Sequence, residues 1–267
     1  MLIDSTVHLP VSLAMLDGLI SWPKPDELIH ILIRWLHFVG GITWIGMLYF
    51  FNLVNVPLQK KLDADTKKKV NPDLLLPALW YFRWGALLTV LAGLTYYAMY
   101  ILSADVNNAN NLGGGHINVW VVLLAWLGYP IVFFLIEFLM IKKIPALIRD
   151  GRIWAIVMII VTAVFTYGLM RFFPAMLSVG GQSYASNRTI SIGVGGTYGI
   201  LMLLNVWGII WPANKRIIGA LQGGPPPAPE LARQAFIASR TNAWLSLPML
   251  LFMGTASHDW VIFSGGK

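Results

Sequence analysis

Residues 118–141, NVWVVLLAWLGYPIVFFLIEFLMI, decide the fold of this chain. The stretch holds 24 residues, and Glu137 is its single charged residue. As a helix it would be about 36 Å long, at a rise of 1.5 Å per residue. That length crosses the hydrocarbon core of a bilayer, which is roughly 30 Å thick. The stretch therefore predicts a transmembrane helix.

The rest of the chain has the composition of a membrane protein. Of its 267 residues, 57% are hydrophobic and 12% are charged, whereas soluble domains are about half apolar and about a quarter charged. Five further stretches are long and apolar enough to span: 27–56, 79–103, 153–176, 191–213 and 243–263. We expect an all-α integral membrane bundle of about six transmembrane helices. Its parts would be an outer interfacial leader (1–26), a transmembrane helical domain (27–263) and a short outer tail (264–267).

The distribution of Lys and Arg predicts the orientation. The connections 57–78, 142–152 and 213–240 hold thirteen of these residues, whereas the opposite side holds three. Because basic residues are enriched in cytoplasmic loops, the first set is expected in the cytoplasm and both termini outside. This topology is that of a multi-pass protein of the bacterial inner membrane. It also accounts for the net charge of +7, so no nucleic-acid partner is expected. The expected surroundings of the helices are membrane lipids.

The chain has no cysteine. Disulfides, thiolate metal sites and a covalently attached c-type haem, which needs the pattern C-x-x-C-H, are therefore excluded within it. Residues 107–115, NNANNLGGG, predict a flexible polar loop, and 223–229, GGPPPAP, an extended linker.

Ionisable residues inside lipid need a partner or a function. Glu137 and Arg83 lie near predicted cytoplasmic helix ends, where their side chains are expected to reach the interface. Asn205 is expected to make an interhelical hydrogen bond. The histidines instead gather in the predicted outer half: His30 and His37 in the first span and His258 in the last.

Helical spacing suggests a cofactor for these histidines. His30, Arg34, His37 and Gly41 share one face of the first span. In the last span, Gly254 precedes His258 by one turn, and a glycine in this position leaves room for the edge of a porphyrin. Arg34 has the bidentate geometry that suits a haem propionate. Ligands from two helices commonly hold a cofactor in a bundle, so the pattern favours a non-covalent haem b.

Other interpretations remain open at this point. Single membrane histidines commonly form packing hydrogen bonds, and glycines commonly serve close helix packing. Zinc or copper is less favoured, because no carboxylate or thiolate accompanies the histidines. Either His30 or His37 matches the expected depth of His258.

Three strings carry a resemblance to a known family. They are LIRWLHFVGGITWIGMLYF (32–50), NVWGIIWPANKRI (205–217) and SRTNAWLSLPMLLFMGTASH (239–258). In order and spacing they resemble the membrane region of bacterial membrane-bound urate hydroxylases, the urate oxidase N-terminal domain family. The first string is also similar to HemJ-type and CopD-type membrane proteins, which handle porphyrin or copper.

The resemblance implies a membrane domain linked to urate oxidation. It matches His37 and His258 to family histidines, which favours these two as axial ligands of the haem iron. A cytochrome c, which follows the last helix in fused members, is expected here as a separate protein. The sequence departs from the family in 189–196, TISIGVGG, which lacks an expected histidine.

The hypothesis is therefore a haem b-binding membrane oxidoreductase or electron carrier, which passes electrons to an outer-side cytochrome c. Arg34 and Arg171 are the expected propionate partners, and Asn242 and Arg240 are the candidate catalytic residues. The alternative is a non-catalytic transmembrane subunit of a larger respiratory or photosynthetic complex. Association of the chain with itself stays open.

Overall fold

The computed structural model describes residues 23–256 and 262–263, and nearly all of these residues are helical. Six long helices follow one another: α1 (Pro25–Lys61), α2 (Ala64–Gly113), α3 (Val119–Lys143), α4 (Gly151–Met176), α5 (Asn187–Leu221) and α6 (Glu230–Thr255). A short helix, Pro145–Arg149, joins α3 to α4. Between α4 and α5, the strands β1 (Ser178–Val179) and β2 (Gln182–Ser183) pair antiparallel.

Helices α1 to α5 are long and apolar enough to cross a membrane. This confirms the predicted all-α membrane bundle and its multi-pass character. The predicted sixth span, 243–263, coincides with the C-terminal half of α6 and continues beyond the described residues. The predicted leader lies almost wholly outside them, as does the predicted tail. We call the end of the bundle at Pro25, Gly113 and Asn187 the predicted outer end, and the opposite end the predicted cytoplasmic end.

The basic connection 57–78 is helical rather than a loop. α1 continues to Lys61, and α2 begins two residues after Leu62. Asp63 caps α2, because its carboxylate accepts hydrogen bonds from the backbone N–H of Thr66 at 2.9 Å and from the Thr66 hydroxyl at 2.6 Å. These hydrogen bonds lower the pKa of Asp63 below its ordinary value. The cap lets α2 start well before its apolar part.

The prediction of a flexible polar loop at 107–115 was wrong over most of its length. α2 remains helical to Gly113, and Gly114 ends it with a positive φ of 69°. The side chain of Asn110 donates to the carbonyl of Ile117 at 2.9 Å and accepts from its N–H at 2.8 Å. The Asn110 side chain thus replaces backbone partners at a helix end, a role that composition does not reveal.

Three of the long helices contain a π-helical turn. The turns are Phe50–Asn55 in α1, Tyr97–Leu102 in α2 and Val206–Ile210 in α5. Asn205, which immediately precedes the third, is fully buried. Such turns alter the direction of side chains and are frequent at functional sites.

α5 lies at the centre of the bundle. It contacts α2, α3, α4 and α6. Of its 18-residue apolar stretch, 61% is buried, against 17% for the corresponding stretches of α1 and α4. α1 packs mainly along α2, where Gly40 permits close approach: an added Cβ would lie 2.9 Å from the Thr89 nitrogen. The outward sides of α1 and α4 expose large apolar side chains such as Ile42 and Ile159. These surfaces suit contact with lipid.

Candidate cofactor cavity

A cavity of about 690 Å³ lies between α1, α2, α5 and α6, with Trp126 of α3 also lining it. Its volume falls within the range of about 300 to 1,000 Å³ that is typical of ligand and cofactor sites. Phe38, Ile42 and Leu250 line the cavity and are 55%, 74% and 45% exposed. The cavity therefore opens sideways toward the lipid-facing surface between α1 and α6.

His37 lines this cavity with a defined tautomer. Its Nδ1 lies 2.7 Å from the backbone carbonyl oxygen of Thr89 and 3.2 Å from the Thr89 hydroxyl oxygen. That hydroxyl donates to the carbonyl of His37 at 2.7 Å. Since both Thr89 oxygens act as acceptors toward the ring, Nδ1 carries the hydrogen and Nε2 keeps the lone pair. Within the described residues, nothing donates a hydrogen bond to Nε2.

Gly93 lies against the imidazole, and other glycines line the cavity. A Cβ on Gly93 of α2 would lie 2.6 Å from Cε1 and Nδ1 of His37, so the ring occupies the space that any side chain there would need. Gly41 and Gly254, both predicted to leave room for a porphyrin, line the cavity. A Cβ on Gly254 would meet no atom within 4 Å, whereas one on Gly41 would meet the Thr89 hydroxyl at 3.3 Å. Gly41 thus also serves the packing of α1 on α2.

Two arginines line the cavity, Arg34 on α1 and Arg188 at the start of α5. Both are largely exposed, and the guanidinium of Arg34 lies 5.8 Å from the Phe38 ring. Arg34 was predicted from the sequence as a propionate partner, whereas Arg188 was not. Its place one residue inside the N-terminus of a helix was the signal that could have identified it. Arg171, the other predicted partner, does not line the cavity, and its Nε donates to the Tyr167 hydroxyl at 3.3 Å.

His30 does not line the cavity. Its Nε2 lies 2.7 Å from the hydroxyl oxygen of Tyr96, and its ring stacks on Tyr100 at a centroid distance of 4.2 Å. These contacts are those of a packing histidine. His258, the predicted second axial ligand, lies outside the described residues. Within them, no group of three or more His, Asp or Glu side chains could hold a metal ion.

The two candidate catalytic residues lie away from the cavity. Asn242 is fully buried and donates to the carbonyl of Met202 at 2.9 Å. Arg240 is half-buried, with its guanidinium 5.3 Å from the Phe236 ring. No atom of either residue lines the cavity between α1 and α6.

The expectation that Glu137 reaches the interface was wrong. Its side chain is fully buried and accepts a hydrogen bond at 2.9 Å from Asn205, whose predicted interhelical hydrogen bond is thereby confirmed. The partner of this carboxyl group is the buried amide of Asn205 on α5, which cannot be identified from the sequence of α3 alone. Arg83 is half-buried, with its guanidinium 3.8 Å from the centre of the Trp211 ring.

Most of the chain matches a known protein family. Residues 63–265 match the family described as urate oxidase N-terminal. The matched range covers more than two thirds of the chain. The chain belongs to this urate oxidase N-terminal family. No curated protein and no solved structure matches it. Family membership confirms the resemblance noted in the sequence. The match covers α2 to α6, including Thr89, Gly93 and Arg188, and begins after α1, which carries His37.

Proposed function

We propose that this member of the urate oxidase N-terminal family is a haem b-binding membrane oxidoreductase or electron carrier. In this proposal its cavity holds the haem, and electrons pass to a separate cytochrome c at the outer face. One observation carries the proposal: His37 lines a cavity of about 690 Å³ with its Nδ1 bound to Thr89. The free Nε2 is the nitrogen that an iron ligand requires.

The residues around the cavity fit a non-covalent porphyrin. The walls are mainly apolar, as the faces of the macrocycle require, and the volume accommodates a plate of that size. Gly93 leaves space for the imidazole, and Gly254 leaves open space in the cavity wall. Arg34 and Arg188 supply two positive charges without an ion-pair partner among the described residues. Such charges suit the two propionates of haem.

Each protein group has a distinct task in this proposal. Bound haem supplies one-electron transfer. His37 would hold the iron through Nε2, and Thr89 would fix the ring tautomer that leaves this nitrogen free. Trp126 and the apolar side chains of α5 exclude water from one side of the cavity. His258 follows the cavity-lining Gly254 by four positions in the sequence and stays a prediction as a second residue that would hold the haem iron.

Urate is the proposed organic substrate, and this part rests on family membership alone. Asn242 and Arg240 lie away from the cavity, so a direct contact with substrate stays a prediction for them. Reduction of the purified protein by urate without oxygen would support the assignment. Binding of haem without such reduction would leave an electron carrier whose substrate is another compound.

A reduced-minus-oxidised absorption spectrum of the detergent-purified protein tests the cofactor. We expect b-type bands that are lost in His37→Ala and kept in His30→Ala, the matched control from the same helix. Normal bands in His37→Ala would show that the ligand assignment is wrong. A haem-free wild-type protein that co-purifies with other subunits would instead favour the non-catalytic role.

A further inference from the structure

A buried carboxyl group lies toward the predicted cytoplasmic end of the bundle, apart from the cavity. Glu137 of α3, Asn205 of α5 and Asn242 of α6 are all fully buried. The amide nitrogen of Asn205 donates to Glu137 Oε2 at 2.9 Å and to Asn242 Oδ1 at 3.0 Å. Asn242 in turn donates to the carbonyl of Met202. Three helices therefore meet around one acidic side chain.

No positive charge accompanies this carboxyl group. Among the described residues, no Lys, Arg or His forms an ion pair with Glu137. The nearest basic group on its own helix, Lys142, donates to Gln234. The charged groups toward this end on or next to the elements around α3 are Arg149, Asp150, Arg152, Lys215, Arg216, Glu230, Arg233 and Arg240. Tyr198 of α5 pairs with Thr166 of α4.

Two buried oxygen atoms in the network have no hydrogen-bond partner, Glu137 Oε1 and Asn205 Oδ1. Both are acceptors if Glu137 is ionised, so neither can satisfy the other. A buried acceptor without a donor is unfavourable, because it has lost its hydrogen bonds to water and gained none in the protein. Rotating the amide of Asn205 would not help, because its oxygen would then face Glu137 Oε2 and Asn242 Oδ1, which are also acceptors.

A single proton on Glu137 would give both oxygen atoms a hydrogen-bond partner. A carboxylic acid and a primary amide are complementary, since each has one donor and one acceptor on the same edge. The bond from the Asn205 amide nitrogen to Glu137 Oε2 is one half of such a pair. A hydrogen on Glu137 Oε1 would be the donor that Asn205 Oδ1 lacks, and would complete the other half.

We propose that Glu137 is a proton-binding site that carries a proton in the folded protein and pairs as a carboxylic acid with Asn205. The proton comes from a hydronium ion of the solvent and adds to the carboxylate, so the products are the neutral carboxylic acid and water, and no other group of the protein changes. Burial in a lipid-embedded bundle without a counter-charge favours this neutral form. The π-helical turn Val206–Ile210 starts next to Asn205, where backbone irregularity is typical of functional sites.

Infrared spectroscopy of the purified full-length protein tests the proposal directly. At neutral pH we expect a carbonyl band of a protonated carboxyl group that shifts in D₂O and disappears in Glu137→Gln. Glu230→Gln, at the exposed start of α6, is the matched control and should keep the band. A wild-type spectrum without this band would overturn the proposal.

Thermal unfolding provides the second arm. Glutamine offers the same donor and acceptor edge as the protonated acid, so Glu137→Gln should unfold at or above the wild-type temperature. If the site instead bound Na⁺ or K⁺ through an ionised carboxylate, wild-type stability would rise with that ion and Glu137→Gln would lose the effect. That result would refute protonation.

A third variant covers the case in which Glu137→Gln fails to fold. Asn205→Ala removes the proposed acceptor, so the carboxyl band of Glu137 should move to higher frequency as its hydrogen bond is lost. An unshifted band in Asn205→Ala would contradict the pairing. None of these readouts depends on haem or urate, so failure here is distinguishable from failure of the proposed function.

Discussion

The Nδ1 atom of His37 on α1 lies 2.7 Å from the carbonyl oxygen of Thr89 on α2. The hydroxyl of the same threonine donates back to the carbonyl of His37 at 2.7 Å. This reciprocal pair joins the two helices and sets the tautomer of the one described histidine that lines the cavity. Hydrogen bonds of this kind commonly orient histidine ligands of metals.

Substitution of Gly93 by Ala should expel the His37 ring from its position. The new Cβ would lie 2.6 Å from two ring atoms, a distance that requires the imidazole or the helix to move. We expect a loss of stability of about 1–3 kcal/mol and a lower ratio of haem to protein. Pyridine-haemochrome assay and thermal unfolding measure the two effects. Gly128→Ala, whose Cβ would meet nothing within 4 Å, should leave both unchanged.

Removal of cavity arginines should change the redox potential of the bound cofactor. Arg34→Gln or Arg188→Gln deletes a positive charge at the cavity, so we expect a lower midpoint potential in a redox titration. Loss of one charge-assisted hydrogen bond, worth about 1.5–3 kcal/mol, should also weaken haem binding roughly tenfold or more. Arg171→Gln changes an arginine outside the cavity and should behave as wild type. Equal effects of all three variants would mean that the cavity arginines have no special role.

The Asp63 cap should stabilise α2 in a pH-dependent way. Hydrogen bonds from Thr66 lower the pKa of Asp63 in the folded protein below its ordinary value. A lowered folded-state pKa contributes stability above the unfolded pKa, and this contribution is lost as the pH falls through the folded pKa. The stability difference between wild type and Asp63→Ala should therefore be present at neutral pH. It should shrink below about pH 4, as urea or thermal unfolding of the two proteins across this range would show.

The predicted orientation can be tested in a chain that already lacks cysteine. Lys68 and Asn108 lie at opposite ends of α2, so Lys68→Cys and Asn108→Cys each introduce a single cysteine at one end. In intact cells a membrane-impermeant maleimide should label the cysteine at position 108, while the cysteine at 68 should react only after the membrane is opened. The reverse pattern would show that the basic connections face outward.

The polar details of the bundle depended on side-chain hydrogen bonds that hydropathy and composition do not reveal. Hydropathy predicted the spans because desolvation of apolar side chains is a local property of each stretch. The asparagine-rich segment at 107–115 was expected to be a loop, yet it is helical to Gly113. Two hydrogen bonds between Asn110 and Ile117 stabilise this helix end. Glu137 was expected at the interface because it lies near the end of its helix, and its buried partner, Asn205, lies 68 positions later in the chain.

The sequence alone determined the membrane-embedded helical class and the family, and it singled out His37, Arg34, Gly41 and Gly254, all of which line the cavity. Only the tertiary structure separated His37 from His30, brought Arg188 rather than Arg171 to the cavity, and joined Glu137 to Asn205. The physical reason is range. Burial in lipid is decided residue by residue along a helix, whereas hydrogen bonds and cavities require groups from different helices to meet at a few ångströms.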